Sequence, residues 1–289
     1  MTTALIVNPY ASRVSEELTA EVARAVRADE VLRTERAGHG AELAAAVEAD
    51  TVVVFSGDGG FNEALNGLRP GVRIGFVPGG GTSVLPRALG LPRDPIAAAH
   101  ALAAGRTRRI SVGRANGRRF GFSAGLGLDA ELVRRMDARG RDATGKRPGD
   151  AAFVATALRV LAERRARMDP EIEVVGHGRA AFVLVANADP YTYAGPLPLH
   201  VTPRATWEGG LDAVGPERVR ARTLPRFLAY ALTGRGLERA RDLVRIHDAD
   251  RIELRCERPL PLQVDGEDLG DVTEVVLECE RDAVDVLVA

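Results

Sequence analysis

Residues 51–68, TVVVFSGDGGFNEALNGL, constrain this chain more than any other segment. The opening TVVVF is a nearly continuous β-branched run, as expected of a strand covered on both faces in a parallel sheet. Three glycines and an aspartate follow, and a helical pattern begins at Phe61. Small residues between a buried strand and a helix let backbone N–H groups approach a phosphate closely, and the helix start adds partial positive charge. Asp58 then falls at the carboxyl end of a parallel strand, where open α/β sheets bind ligands. An acid beside phosphates needs Mg²⁺ or a substrate proton. Taken alone, GDG favours the plainer reading of a tight turn that caps a helix.

The flanking segments agree with an open α/β domain. Residues 4–7 form a short apolar run closed by Asn8-Pro9, and residues 16–28 carry Leu18, Val22 and Val26 on one helical stripe. A second strand is predicted over 31–34, a helix over 39–49 and a strand over 73–77. After that strand the glycine arrangement repeats: Gly79, Gly80 and Gly81 with Thr82 and Ser83, then a helix. Two phosphate-compatible loops on neighbouring strands point to a polyphosphate ligand more strongly than either alone. Neither fits GxxxxGK[ST] or GxGxxG, so a P-loop NTPase and a standard dinucleotide fold are unsupported.

Near Arg106 the grammar changes. Residues 110–115 and 118–122 flank Asn116-Gly117, a two-residue hairpin signal because both turn positions require positive φ. Residues 151–165 read as a helix, while 171–186, 201–205, 251–264 and 273–288 read as strands. The prediction is therefore an α/β domain with an open parallel sheet over 1–110 and a mainly antiparallel β domain over 111–289. The 289 residues, 45% hydrophobic and 27% charged, suffice for two packed cores.

Composition excludes several classes. No apolar run approaches the roughly 20 residues of a membrane-spanning helix, and the start lacks a signal peptide's basic segment and cleavage site, which predicts a cytoplasmic protein. Two cysteines cannot make a disulfide framework and sit at inward parity, as core thiols. The five histidines are scattered without zinc-ligand spacing, so a metal here would be oxygen-ligated. Net charge is −1, yet the stretch 106–147 is strongly basic. That patch suits anionic lipid or nucleotide phosphate, or else is a solvated face. Lys146 is the only lysine, so arginine abundance reflects a compositional bias and no nucleic-acid partner is expected.

With these motifs in order, the chain resembles the diacylglycerol kinase catalytic-domain family, which includes bacterial lipid kinases and the sphingosine kinases. Asn8-Pro9 resembles the family's opening motif, SGDGGFNEALNG its GGDGTxNExxNG segment, and residues 78–92 its second glycine-rich loop. GFSAGLGLDA (121–130) is similar to the segment entering the lipid-binding domain, and VDGE (264–267) to the late DGE motif. The resemblance implies an NAD kinase-like fold and an ATP-dependent, Mg²⁺-requiring lipid kinase in phospholipid metabolism. Its acceptor would be a lipid hydroxyl, most simply diacylglycerol, met by peripheral association with the membrane surface. A homodimer is allowed.

By the same resemblance, ATP would be held by Asn8, Ser56, Gly57, Gly59, Gly60, Asn62, Glu63, Gly79, Gly80, Gly81, Thr82 and Ser83, with Lys146 and Arg147 neutralising the transferring phosphate. Asp58 and Glu267 would be the catalytic acids, one of them the base. Asp58, Asp265 and Glu267 would serve Mg²⁺, and Asp129 the polar head of the acceptor. Each has a plainer reading: Asp265-Gly266 is a hairpin turn, Asp129 a helix cap and Lys146 a loop residue. The register of the second loop puts Ser83 and Val84 where Asn and Asp are usual, and WEGGLD (207–212) lacks two aspartates of the family's DDGLLD, which weakens a structural Mg²⁺ site there. Two rivals stand beside the lipid kinase: a soluble-substrate kinase of the NAD kinase type, and a catalytically silent nucleotide- or lipid-binding protein.

Overall fold

A computed structural model of the chain describes residues 1–140 and 150–289. Two compact units emerge: residues 1–112 with 281–289, and residues 113–280. The expected boundary at 110 did not foresee that the last nine residues return to the first unit. The reason is strand pairing, since Val286 lies in parallel register with Ile74.

The first unit holds β1 (Thr3–Val7), α1 (Glu16–Val26), β2 (Glu30–Arg33), α2 (His39–Ala46), β3 (Thr51–Ser56), α3 (Asp58–Gly67), β4 (Arg73–Pro78), α4 (Val84–Ala88) and α5 (Pro95–Ala103). Its strands run in the order β2-β1-β3-β4, all parallel. All six residues of β3 are buried, as a doubly covered strand demands. Helix α1 begins where Ser15 Oγ accepts the Leu18 N–H at 3.2 Å, and it buries Val22 and Val26. Because the strands are parallel, the ends of β1, β3 and β4 lie at one edge of the sheet. Asn8 and both glycine loops are thereby brought together.

The remaining elements are β5 (Arg106–Ala115), β6 (Arg118–Phe120), β7 (Ser123–Leu126), α6 (Leu128–Ala138), α7 (Asp150–Glu163), β8 (Ile172–Val174), β9 (Gly178–Ala180), β10 (Val183–Ala186), β11 (Thr192–Ala194), β12 (Leu197–Leu199), β13 (Leu211–Pro216), α8 (Leu224–Thr233), β14 (Leu243–Ala249), β15 (Arg251–Val264) and β16 (Glu267–Val288). In the second unit, strands are ordered β14-β13-β10-β7-β15-β16 and pair antiparallel, over a core that includes Phe120, Leu126, Ile172 and Val264. Asn116 (φ 48°) and Gly117 (φ 90°) make the β5–β6 turn, and Asp265 (φ 49°) and Gly266 (φ 80°) the β15–β16 turn.

Three local expectations need correction. Residues 201–205 form no strand: Pro203 cannot donate to a ladder, and the Ala205 N–H turns back to Thr202 O. Helix α8 lies in residues 206–250, where no helix is expected within the mainly antiparallel β domain. The two cysteines are half-buried at the margin of the core, where burial pushes the Cys256 thiol up to about 11.

Gly67 closes α3 against α2, and a Cβ there would stand 1.9 Å from the Ala41 carbonyl oxygen. An alanine normally gains about 1 kcal/mol over glycine within a helix, but here backbone would have to yield. Gly67→Ala is expected to destabilise the fold by about 2 kcal/mol, measured by denaturant unfolding.

Candidate functional site

The two glycine loops of the first unit clasp each other. The Gly79 N–H donates to Ser56 O at 2.7 Å, and a Cβ on Gly80 would stand 2.9 Å from Gly57 Cα. No side chain fits there, so glycine is required by contact rather than by φ. Helix α3 begins at Asp58, three residues earlier than expected, because Gly57 serves as its N-cap. Gly59 and Gly60 consequently present helix-start N–H groups. These, with the N–H groups of Gly80, Gly81 and Thr82, find no hydrogen-bond partner among the described residues. Such a set of donors at a helix start accepts phosphate oxygens.

The polar residues around the loops hold this shape. Asp58 accepts the Val84 N–H at 3.1 Å on one oxygen and the Leu85 N–H at 3.2 Å on the other, tying the first loop to the second. Asn8 Oδ1 accepts the Tyr10 N–H at 3.0 Å, and its own N–H donates to Phe55 O. The Ser56 hydroxyl is buried beneath Gly60, where a Cβ would come within 2.1 Å of it, and it lacks a partner among the described residues.

Three residues expected at the nucleotide have other contacts. Glu63 accepts the Gly38 and Gly40 N–H groups at 2.8 and 3.0 Å, capping α2 in place of a side chain at Gly38. Asn62 is buried and accepts from Asn66 Nδ2 at 3.2 Å, while buried Ser83 donates its hydroxyl to Gly80 O at 3.2 Å. They shape the loops from below. Lys146 and Arg147 lie outside the described residues.

In the second unit, Asp265 is buried and accepts the N–H groups of Gly121, Phe122 and Ser123 at 2.6, 3.0 and 3.1 Å. The carboxylate, expected as a metal ligand, fastens the chain entering β7 through those contacts. Glu267, just past the turn, is partly exposed and pairs with Arg118 at 3.0 Å. Among the described residues no three His, Cys, Asp or Glu side chains gather as a metal cage. Mg²⁺ at a phosphate usually keeps waters and needs only one or two carboxylates.

Asp129 is the centre of a polar cluster missed by the sequence reading. Tyr191 Oη donates to it at 2.8 Å and Gln263 Nε2 at 2.6 Å, and it packs over Gly125, where a Cβ would stand 2.3 Å from its carboxylate. Burial pushes the Asp129 carboxyl above its ordinary 3.8, with both hydrogen bonds pulling the other way. Burial and the neighbouring carboxylate hold the Tyr191 hydroxyl well above its usual range. Two further pairs were also missed, His200 on Asp189 at 2.6 Å and His247 on buried Asp212 at 2.9 Å. Asp212, the last residue of WEGGLD, also accepts the Asp248 N–H at 2.9 Å, so it is engaged across the β13–β14 pair. No spacing in the sequence announces these partners.

Residues 2–115 match the family model described as the diacylglycerol kinase catalytic domain, and residues 123–288 that of the YegS C-terminal NAD kinase beta sandwich-like domain. Fold and matches together define a kinase with an NAD kinase-like architecture. The chain belongs to the diacylglycerol kinase catalytic-domain family. It is 26% identical over 247 residues to a diacylglycerol kinase of Bacillus subtilis, covering 80% of this chain and 75% of that one. A solved diacylglycerol kinase structure from Bacillus anthracis superposes with a TM-score of 0.74 at 22% identity, covering 100% of this chain and 97% of its own. An Archaeoglobus fulgidus NAD kinase, solved in complex with ATP, gives 0.54 at 13% identity over 99% of this chain and 93% of its own. These two likenesses show the fold.

Asp129 binds its proton more tightly in the folded chain than in the unfolded one. Its contribution therefore favours folding below pH 3.8 and is lost as pH rises through the raised folded value. Asp129→Asn keeps an acceptor for Tyr191 and Gln263 without the buried charge. It is expected to melt higher than the parent protein at pH 7, with the gap narrowing toward pH 4, read by thermal unfolding of both proteins across that range.

Proposed function

We propose that the protein is an ATP-dependent lipid kinase that transfers the γ-phosphoryl group to a lipid hydroxyl, with diacylglycerol the foremost acceptor. The observation that carries this reading is the clasp of glycine loops, whose unpartnered N–H groups gather at the carboxyl edge of a parallel sheet. That cradle suits a chain of phosphates: its donors are fixed before the ligand arrives, and a Cβ at Gly80 would push the two loops apart. Transfer needs position and charge neutralisation more than covalent chemistry from the protein.

On this reading the residues are assigned as follows. Gly59, Gly60, Gly80, Gly81 and Thr82 donate to phosphate oxygens. Asp58 holds the two loops in register and is the carboxylate assigned to Mg²⁺, which would neutralise phosphate charge when bound. Glu267 is assigned as the base that takes the hydroxyl proton, its carboxylate oriented by Arg118. Asp129, steadied by Tyr191 and Gln263, is assigned to the polar head of the acceptor, and Lys146 and Arg147 to the transferring phosphate. The enzyme is read as cytoplasmic and peripherally associated with the membrane, with the relatives' name supporting a lipid rather than a soluble acceptor.

Incubation with radiolabelled ATP, Mg²⁺ and a total lipid extract is expected to label one lipid, comigrating with phosphatidic acid. Label appearing only when NAD replaces the lipid overturns the reading in favour of the NAD kinase type, and ATP binding without any transfer overturns it in favour of a silent binding protein. Glu267→Gln, isosteric and still able to meet Arg118, is expected to lower kcat about 100-fold. The affinity for ATP should be unchanged in an equilibrium binding assay.

A further inference from the structure

The basic stretch 106–147 is largely neutralised within its described part. Arg109 pairs with Asp285, Arg114 and Arg119 with Glu280, Arg118 with Glu267, and Arg134 with Asp268 and Asp271. Uncommitted positive charge lies elsewhere, on either side of α8. Arg218 and Arg222 before the helix, and Arg235 and Arg239 after it, are exposed and make no ion pair among the described residues.

Helix α8 itself is amphipathic in an uneconomical way for a solvated surface. Its inner face is accounted for: Phe227 and Tyr230 pack beside Leu237 and Leu243, and Leu224 beside Met168 and Val219. Its outer face carries Leu228 and Leu232, 60% and 44% exposed, four residues apart and so on one side of the helix. Leu197, 55% exposed, adds to them from β12, the strand beside which α8 lies; His200 at its end donates its N–H to Ala231 O at 2.7 Å. None of the three leucines is needed by the core.

At the start of α8 opens a cavity of about 560 Å³ lined by Arg179, Arg218, Arg220 and Arg222, with Glu217 and Asp242 the only acids among its lining residues. Asp242 is neutralised by Arg226, Arg179 by Glu257 and Arg220 by Asp169, which leaves Arg218 and Arg222 against Glu217. Positive charge thus concentrates at the end of an exposed leucine pair.

We propose that α8 and this arginine-lined cavity form a docking surface for an anionic phospholipid bilayer, with Leu228 and Leu232 entering the acyl boundary and Arg218 and Arg222 meeting headgroup phosphates. Interfacial helices combine these two features: apolar side chains to bury and arginines whose stems lie along the apolar layer while their heads reach the phosphates. Charge complementarity favours a bilayer over a second copy of the chain, since a two-fold contact through this face would set arginines against arginines. The inference rests on the lipid-kinase reading for its purpose, though its observations are independent of the glycine loops.

The test is cosedimentation of the full chain with vesicles of equal parts phosphatidylglycerol and phosphatidylcholine, and with phosphatidylcholine vesicles alone. Binding is expected only to the anionic vesicles and should weaken as salt rises. Leu228→Glu with Leu232→Glu is expected to weaken it at least about tenfold. Arg218→Gln with Arg222→Gln, an independent pair that leaves the leucines in place, should cost about fivefold per arginine. Both double variants should keep the parental melting temperature and phosphorylate short-chain diacylglycerol in detergent micelles at the parental rate. Vesicle binding without any lipid phosphorylation would leave the docking surface standing while the kinase reading fell. Equal vesicle binding by parent and both variants overturns the docking surface. So does a change of mass in light scattering for the leucine variant with vesicle binding intact, which would assign α8 to a second copy.

Discussion

The contact between Gly57 and Gly80 governs the first unit. Two strand-to-helix turns on neighbouring parallel strands approach so closely that one Cβ would separate them, and this approach places the free N–H groups of both turns side by side. The surrounding interactions preserve it. The Gly79 N–H reaches Ser56 O, Asp58 spans to the start of α4, and Glu63 anchors α3 to α2, whose close packing in turn needs Gly67. Residues that read as ligand contacts in a motif are here divided between two duties. The glycines leave donors open, while the acids and amides hold the backbone that carries them.

In the second unit, backbone capture is again the principal work of an acid. Asp265 sits in a tight turn with positive φ and gathers three N–H groups from residues 121–123, so the turn ending β15 also fixes the entry to β7. Glu267 is placed two residues further on, outside that capture, facing Arg118. The DGE motif thus splits into a structural aspartate, a glycine that permits the turn, and an acid left at the surface. Asp129 rests on Gly125 for the same steric reason that Gly57 faces Gly80: a carboxylate occupies the space of the missing side chain.

Charge shows most clearly where sequence order misleads. Arginines clustered between 109 and 134 appear as a patch along the chain, yet their partners are Glu267, Asp268, Asp271, Glu280 and Asp285 in β16. More than a hundred positions separate the partners, and only strand pairing brings them together. Helix α8, in contrast, had local signals that were legible: Pro225 in its first turn and Gly234 as its left-handed C-cap mark the two ends of a helix. They were masked by the many strands around them.

By itself, the sequence determined what depends on near neighbours. The β-branched run of β3 requires cover on both faces, the periodic stripe of α1 requires a core on one side, and Asn116-Gly117 and Asp265-Gly266 close hairpins because each tolerates positive φ. Those local rules gave the parallel α/β unit, the antiparallel unit and the two glycine loops. Only the tertiary structure decided that Val286 returns to Ile74, that Asp58 caps α4, and that Tyr191 and Gln263 surround Asp129. Hydrogen-bond partners distant in sequence are chosen by sheet register and by the shape of close packing, and neither is written in the spacing of residues along the chain.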